Sequence, residues 1–189
     1  MQVILISGKA QHGKDTTAGI LKSQLEADGY KILIVHYADL LKHICRSFFG
    51  WDGKKDSAGR HLLQYVGTDV IRTRRPGFWV EFITQMLDFF PDEWDYVLIP
   101  DCRFPDEIDS LKNSGIKTIH IRVVRPGFQS KLSTEQQAHP SETALDKVIP
   151  DYYIDNSGSL MDLRKTVLDW IVQTNGFHQL TLDEITMVG

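Results

Sequence analysis

A short segment rich in glycine and lysine near the start of the chain is well suited to bind phosphate. The segment GKAQHGKDTT, residues 8–17, has the Walker A pattern G-x-x-x-x-G-K, with Gly8, Gly13 and Lys14 at its fixed positions. Glycines let the backbone curl until several N–H groups point at one anion, and a following helix adds partial positive charge. Because Lys14 can reach the outer phosphates of a nucleotide, the pattern predicts a phosphate loop.

The residue after this lysine departs from the usual pattern, because Asp15 stands where Ser or Thr normally contacts Mg²⁺. A bare carboxylate would repel phosphates, but Mg²⁺ favours carboxylate oxygens and would offset that repulsion. Thr16 and Thr17 offer hydroxyl and N–H groups within the same helical turn. Asp15 is therefore a candidate metal ligand, with capping of the helix as an equal alternative. Asp15 also leaves open the alternative that the protein binds ATP without transferring phosphate.

The elements that must position this loop follow from the hydrophobic pattern. Apolar, β-branched runs are typical of strands buried on both faces. The runs, some continuing into a polar turn, lie at residues 3–7, 31–39, 95–107, 117–124 and 152–156. Segments with helical spacing separate them, at residues 14–27, 40–50, 60–90 (two helices), 106–114 and 160–174. This alternation predicts an α/β fold with a five-stranded parallel sheet flanked by helices on both faces.

Polar residues gather where the predicted strands end. These polar segments lie at residues 8–17, 37–42, 101–107, 122–131 and 155–156. The carboxyl ends of parallel strands meet at one edge of a sheet, and ligands of such sheets bind there. The sequence therefore predicts one active site that several separate segments build together.

Length, charge and cysteine content narrow the class of protein. The 189 residues suit one domain with an inserted lid, and a formal charge of −4 provides no basic field for nucleic acid. The first residues lack a basic leader, and no apolar run is long enough to cross a bilayer. Cys45 and Cys102 lie far apart without the spacing of metal ligands, which favours reduced thiols in a cytoplasmic protein.

Several segments together resemble the phage-type deoxynucleoside monophosphate kinases, a family of P-loop kinases. The phosphate loop is similar to the G-K-D-T loop of that family. Further matches follow in the same order: YADLLK (37–42), GTDVIR (67–72), FWV (78–80), DCRFPDE (101–107), HPSE (139–142) and IDNSGSL (154–160). Leu40 stands where this family usually has proline. The resemblance extends to about residue 174. Many families share the phosphate loop alone, whereas the R-F-P-x-E loop combined with G-K-D-T is much more specific to this one.

The resemblance implies one P-loop kinase domain over residues 1–189, with strand order 2-3-1-4-5. It implies an acceptor-binding helical region at about 39–90 and a lid at about 125–142. ATP would be the donor, Mg²⁺ the cofactor and a (deoxy)nucleoside monophosphate the acceptor. A kinase of another phosphorylated acceptor is the nearest rival, since animal phosphomevalonate kinases carry a similar G-K-D loop. Small nucleotides are the expected partners, nucleic acid and membranes are not, and the oligomeric state stays open, with a homodimer among the alternatives.

Phosphoryl transfer requires positioned phosphates, positive charge and exclusion of water, so the candidate residues are basic groups and metal ligands. The candidate catalytic residues are Lys14, Asp101, Arg103 and Arg125. The candidate ATP-binding residues are Gly8, Gly13, Lys14, Asp15, Thr16, Thr17 and Asn156. The candidate acceptor-binding residues are Asp39, Lys42, Arg72, Trp79, Arg103, His139 and Glu142. The candidate Mg²⁺ ligands are Asp15, Thr16 and Asp101, in part through water.

Two of these candidates have structural alternatives to a role in catalysis. Asp101 ends the third predicted strand, where it could orient the metal or form a salt bridge with Arg103. The guanidinium of Arg103 could clamp a phosphate through two hydrogen bonds, or it could form an ion pair with Glu107 that shapes the loop. The sequence favours the functional role for both residues.

The remaining candidates come from the acceptor and lid regions. Arg72 is expected to hold the acceptor phosphate, and Trp79 either stacks on a base or packs in the core. His139 and Glu142 are expected to contact the acceptor or to cap a helix. Arg125 is the better of the two arginines that begin the lid, and it is expected to close over the transferred phosphate. No role is assigned to residues 176–189.

Overall fold

The five apolar runs form one parallel sheet in the computed structural model, which describes residues 1–174. The strands are β1 (Gln2–Ser7), β2 (Ile32–Ile34), β3 (Tyr96–Cys102), β4 (Lys117–Val124) and β5 (Tyr152–Asp155). Their order across the sheet is β2-β3-β1-β4-β5, and every neighbouring pair is parallel. The predicted fold class and the strand order implied by the family resemblance are both confirmed. Residues 176–189, which received no role, lie outside the described residues.

Helices connect the strands and cover the sheet. They are α1 (Lys14–Ala27), α2 (Ala38–Phe49), α3 (Ser57–Gln64), a π-helix (Tyr65–Arg72), α4 (Phe78–Phe89), α5 (Pro105–Asn113), α6 (Thr134–Ala138), α7 (Pro140–Thr143) and α8 (Leu160–Gln173). Within residues 1–174, none of these helices is both long and apolar enough to cross a membrane.

The core lies on both faces of β1, the central strand, whose six residues are all buried. Successive side chains of a strand point to opposite faces, so alternate residues of β1 enter different clusters. On one face, Ile4 and Ile6 pack in a cluster with Leu21 of α1 and Val167 of α8. On the other face, Val3 and Leu5 belong to a cluster that includes residues of α4 and α5. This two-sided burial fixes the direction in which β1 delivers the phosphate loop.

Three elements differ from the sequence prediction. The run at 31–39 gives a strand of only three residues, because the chain turns into α2 at Ala38. The predicted break near 75–77 is present, but the helix before it ends in a π-helix, where the Nε1–H of Trp79 donates to the carbonyl of Gly67 at 3.1 Å. The polar lid segment contains the short helices α6 and α7, which the sequence pattern does not predict because the segment lacks apolar periodicity.

A buried polar pair joins the end of β1 to the middle of β4. The Oγ of Ser7, at the end of β1, and the Nε2 of His120, in β4, are 2.7 Å apart. His120 is only 1% exposed, and this burial lowers its pKa to about 4, with the charge of Arg122 acting in the same direction. The folded protein therefore holds a neutral imidazole within β4, against the last residue of β1.

This buried imidazole predicts a loss of stability in acid. An unfolded histidine binds a proton near its ordinary pKa of 6.5, whereas the folded one does so only near 4, so the free energy of unfolding falls as pH drops through that window. By pH 5 the loss due to this residue is about 2 kcal/mol. Urea unfolding at pH 7.5 and pH 5 should show that His120→Gln loses less stability than wild type over this interval. The exposed His61→Gln is the control and should follow wild type; equal slopes for all three would contradict the assignment.

Candidate active site

The phosphate loop joins β1 to α1 and needs glycine at both of its fixed glycine positions. The backbone φ angles are +145° at Gly8 and +97° at Gly13, a region that side chains with a Cβ rarely adopt. A Cβ at Gly8 would lie 2.4 Å from the carbonyl oxygen of Val123, and one at Gly13 would lie 2.5 Å from the Nδ2 of Asn156. The loop is therefore curled and held closely by its neighbours.

Lys14 opens α1 and folds back across the loop. Its Nζ donates to the carbonyl oxygens of Gly8 at 2.8 Å and Lys9 at 2.9 Å, and the residue is 7% exposed. Burial, reinforced by the charge of Arg103, lowers the pKa of Lys14 to about 8. The ammonium group is bound to the loop by neutral carbonyl groups, so its positive charge remains available to an anion.

Asp15 does not cap α1. The N-cap position belongs to Gly13 and has no side-chain hydrogen bond, so the capping alternative for Asp15 is wrong. Its Oδ1 instead lies 3.1 Å from the Nε2 of His36, whose Nδ1 lies 3.3 Å from the Oδ2 of Asp39. The hydrogen bond to His36 lowers the pKa of Asp15 and raises that of His36. Sequence inspection missed His36, for which the only signal was its place at the end of the second apolar run.

The two threonines after Asp15 differ in their access to a ligand. Thr16 is exposed, so its hydroxyl is open to a metal ion or a phosphate. Thr17 is completely buried, and its Oγ1 has no hydrogen-bond partner within residues 1–174. Only the backbone N–H of Thr17 takes part in the loop, donating to the carbonyl of Gly13 at 2.9 Å. The Thr17 hydroxyl is therefore not accessible to a ligand in this structure, and an ATP contact of Thr17 stays a prediction.

Asp101 ends β3 and ties it to α2. Its two carboxylate oxygens accept the backbone N–H groups of Tyr37 and Ala38, each at 3.0 Å. These are N–H groups at the start of α2, where the helix dipole favours a negative charge. The alternative salt bridge between Asp101 and Arg103 does not form. Asp101 still lines the larger cavity described below, together with Lys14 and Asp15.

Arg103 pairs with a carboxylate other than the one the sequence suggested. Its guanidinium forms an ion pair with Glu142 and donates to the carbonyl of Ser141 at 2.7 Å, whereas Glu107 receives only its backbone N–H at 2.6 Å. The second oxygen of Glu142 accepts the N–H of Ala10, in the phosphate loop, at 2.9 Å. Burial alone would raise the pKa of Glu142, but Arg103 lowers it, so a buried anion sits on the loop.

Arg72 is enclosed in an ion-pair group. Its guanidinium contacts Asp106 at 2.6 Å and Glu107 at 2.6 Å, and lies 3.8 Å from the ring centre of Phe104. The side chain is 11% exposed, and burial raises the pKa of Glu107 to about 7. Breaking such a buried pair by removing one partner costs about 3–5 kcal/mol. This arrangement opposes the predicted role of Arg72, because its charge is already balanced.

A cavity of about 580 Å³ runs from the phosphate loop to the helical region at 38–79. The predicted site residues that line it are Lys14, Asp15, Lys42, Arg72, Trp79, Asp101, Arg103 and Glu142. Lys42 is held by Asp39 at 2.8 Å, and Trp79 is only 5% exposed, with its indole N–H bonded to Gly67. The cavity also contains Lys55, Arg60 and Gln64, which sequence inspection missed because these residue types are common on surfaces.

Four other candidate residues line neither of these cavities. Asp39 supports Lys42, and His139 caps α7 by accepting the N–H of Ser141 at 3.2 Å. The Nδ2 of Asn156 donates to the carbonyl of His12 at 2.9 Å, which braces the phosphate loop. Arg125 stacks 4.7 Å from the ring centre of Phe128. Its predicted closure over a phosphate stays a prediction.

A smaller cavity of about 280 Å³ adjoins the other side of the loop. It is lined by the loop residues Gly8, Lys9 and His12 and by residues after β3, along β4 and near α7. Arg122 faces this cavity while its guanidinium donates to the carbonyl of Leu145 at 2.6 Å. Glu142 and Arg103 line both cavities, so the two spaces meet at this ion pair.

The fold is that of the P-loop kinases. A shikimate kinase from Aquifex aeolicus has a TM-score of 0.53 and 12% sequence identity, with 93% of this chain and 98% of that chain covered. A sugar kinase from Janibacter sp. has a TM-score of 0.52 and 12% identity, with 91% and 95% covered. At such low identity the likeness concerns the fold alone.

The chain belongs to the deoxynucleotide monophosphate kinase family, whose sequence profile matches residues 34–167. It is 37% identical over 106 residues to the deoxynucleotide monophosphate kinase of Enterobacteria phage T4, a match covering 55% of this chain and 41% of that protein. It is also 28% identical over 174 residues to a putative deoxynucleotide monophosphate kinase of Acanthamoeba polyphaga mimivirus, covering 78% and 84%. The chain thus spans about two fifths of the phage protein, and the family membership expected from the sequence is confirmed.

The position of Glu142 predicts that its carboxylate competes with phosphate. An incoming anion must displace it from the Ala10 N–H and from Arg103, so Glu142→Gln should bind inorganic tripolyphosphate about tenfold more tightly than wild type, measured calorimetrically without Mg²⁺. Glu135→Gln is the matched control, because Glu135 is an exposed glutamate of the neighbouring α6. Unchanged or weaker binding by Glu142→Gln, with its fold intact, would contradict this competition.

Proposed function

We propose that the protein transfers the terminal phosphoryl group of ATP to a deoxynucleoside monophosphate. The observation that carries the proposal is the continuous cavity that joins the phosphate loop to the helical region around Trp79. Its volume of about 580 Å³ lies within the usual range of small-molecule sites. The family to which the chain belongs is described by the same reaction class.

The donor binds at the phosphate loop in this proposal. The N–H groups of the loop, the start of α1 and the ammonium group of Lys14 receive the phosphate chain. Their positive charge lies where negative charge develops on the transferred group, and a buried setting strengthens that interaction. Asn156 holds the loop in shape from β5, and by analogy with the fold the adenine packs near this end of the sheet.

The residues near the loop fit Mg²⁺, the expected metal. Its preferred ligands are one or two carboxylates, waters and phosphate oxygens, so a dedicated cage is not needed. Asp15 offers an exposed carboxylate with only one oxygen held by His36, and Thr16 offers an exposed hydroxyl. Asp101 would act through water, because the Tyr37 and Ala38 N–H groups bind its oxygens. Mg²⁺ held there would neutralise charge on the phosphate oxygens.

The acceptor occupies the helical end of the cavity. Its phosphate oxygen attacks the terminal phosphorus of ATP, the bond to the bridging oxygen breaks, and ADP leaves. Trp79 and Leu41 supply apolar surface for the base, while Lys42 adds positive charge on the side of α2. The proposed lid, residues 125–142, contacts the loop through Arg125 and Glu142, and it would exclude water when both substrates are bound.

The setting of the two cysteines agrees with a cytoplasmic kinase. Cys45 and Cys102 are both unpaired and buried, and burial raises the pKa of each thiol. Thiols in this state are poor nucleophiles and poor metal ligands. We therefore assign them to the core and give neither a part in the reaction.

The proposal is tested by measuring ADP release from Mg-ATP with a panel of acceptors. The panel holds the four deoxynucleoside monophosphates, their ribose forms and phosphomevalonate. Turnover with one or more deoxynucleotides is the expected result. Turnover with phosphomevalonate alone would show that the acceptor is phosphomevalonate and not a deoxynucleotide. ATP binding without any turnover would identify a binding protein instead of a kinase.

Lys14→Ala should lower turnover by at least about 100-fold while leaving the unfolding midpoint unchanged. The reason is the loss of the buried positive charge that faces the transferred phosphate. Lys165→Ala, an exposed lysine of α8, is the matched control and should retain full turnover. Normal turnover of a folded Lys14→Ala enzyme would exclude the loop as the donor site.

A further inference from the structure

The carboxylate of Asp15 has a partner that the usual phosphate-loop hydroxyl does not need. The Asp15 side chain is 80% exposed, and an exposed carboxylate samples several rotamers unless a contact restricts it. Its Oδ1 lies 3.1 Å from the Nε2 of His36, which belongs to a segment 21 residues away. This contact uses one oxygen of the carboxylate and leaves Oδ2 for another ligand.

His36 is itself held in place just before α2. Its backbone N–H donates to the Oδ2 of Asp39 at 3.1 Å, and its Nδ1 lies 3.3 Å from the same oxygen. The other oxygen of Asp39 accepts the ammonium group of Lys42 at 2.8 Å. The imidazole, only 25% exposed, therefore has a carboxylate beside each ring nitrogen and a fixed direction toward Asp15.

The two residues that follow His36 orient the other carboxylate that fits Mg²⁺, that of Asp101. The backbone N–H groups of Tyr37 and Ala38 donate to its two oxygens, each at 3.0 Å. Asp15, His36 and Asp101 all line the same cavity. Three consecutive residues thus hold both candidate metal ligands, one through a side chain and the other through the backbone.

The orientation of a side chain at position 15 matters more for a carboxylate than for a hydroxyl. A hydroxyl is neutral, whereas a carboxylate repels phosphate oxygens unless a cation lies between them. A ligand of a metal is commonly oriented by a hydrogen-bonded partner that does not touch the metal itself. His36 has the position of such a partner, because it contacts Asp15 from a segment outside the phosphate loop.

We propose that His36 is the positioning residue that makes Asp15 a ligand for Mg²⁺ in place of the usual hydroxyl. The imidazole holds Oδ1 and leaves Oδ2 for the metal, and it touches neither the metal nor a phosphate. The site then selects the Mg²⁺ complex of ATP over free ATP. The proposal rests on the proposed function, because it requires Mg²⁺ at the phosphate loop, but it does not depend on which acceptor is used.

His36→Leu tests this assignment through nucleotide binding without turnover. The probe is an ATP analogue with a non-hydrolysable imido bridge, titrated calorimetrically in excess Mg²⁺ and again in EDTA. The ratio of the two affinities measures what the metal contributes. His36→Leu should lower this ratio by about tenfold or more, the usual effect of losing a residue that orients a metal ligand. The affinity measured in EDTA should stay unchanged.

His36→Gln and His43→Leu complete the set of variants. Gln keeps a side-chain N–H donor, so His36→Gln should recover part of the ratio. His43 is exposed on α2 and lines neither cavity, so His43→Leu is the matched control and should keep the wild-type ratio. An unchanged ratio in His36→Leu, or an equal loss of affinity with Mg²⁺ and in EDTA, would overturn the assignment.

A double-mutant cycle with Asp15→Ala shows whether His36 acts through Asp15. Asp15→Ala alone should lower the ratio, and adding His36→Leu should lower it no further, because two residues that act through one contact are not additive. Additive losses from the two substitutions would mean that His36 acts elsewhere, and they would contradict the proposal.

The outcome separates this proposal from the proposed function. The titration contains no acceptor, so a failure to find deoxynucleotide turnover leaves the expected effect of His36→Leu in place. If a deoxynucleotide is the acceptor and the ratio does not depend on His36, only the His36 assignment fails. A wild-type protein that binds the analogue equally with Mg²⁺ and in EDTA overturns both this assignment and the place of Mg²⁺ in the proposed function.

Discussion

The buried carboxylate of Glu142 is the contact on which the arrangement of the site depends. Converging N–H groups beside a buried lysine concentrate positive charge, and leaving such charge without an anion is costly in a low-dielectric setting. Glu142 supplies the anion by accepting the N–H of Ala10 and pairing with Arg103. This contact attaches α7 to the loop, and Lys9 strengthens it by donating to the carbonyl of Glu142 at 2.6 Å. Arg103 is held at the meeting point of the two cavities as a result.

The sheet was predictable mainly through β1 and β3, which are buried on both faces along nearly their whole length. Continuous apolar runs locate such strands well, whereas the strand order was implied by the family resemblance and not by the pattern itself. The elements that differ depend on contacts between distant residues or on caps. The π-helix packs through the bond from Trp79 to Gly67, and α6 and α7 are too short for apolar periodicity. The start of α6 depends instead on a capping box between Ser133 and Gln136.

The phosphate loop was predictable for a different reason, which is that its chemistry lies within one continuous segment. Residues whose roles depend on distant partners were harder to assign. Arg72 has its carboxylate partners 34 and 35 residues away, and Arg103 has Glu142 39 residues away. A sequence shows which side chains are basic but not which of them are already neutralised. Sequence inspection therefore had no reason to select Arg60 or His36, because their place in the cavity depends on the neighbours that the fold brings to them.

The residues that brace the phosphate loop are made long after the loop itself. The loop is synthesised before the residues that hold it, because its contacts join Ala10 to Glu142 and His12 to Asn156, which are 132 and 144 residues apart. Contacts of such separation form late, because the chain between them must be ordered before they are gained. A growing chain on the ribosome therefore carries a complete loop sequence without its supports. The phosphate loop therefore gains these supports only after α7 and the segment that follows β5 have been synthesised and have joined the fold.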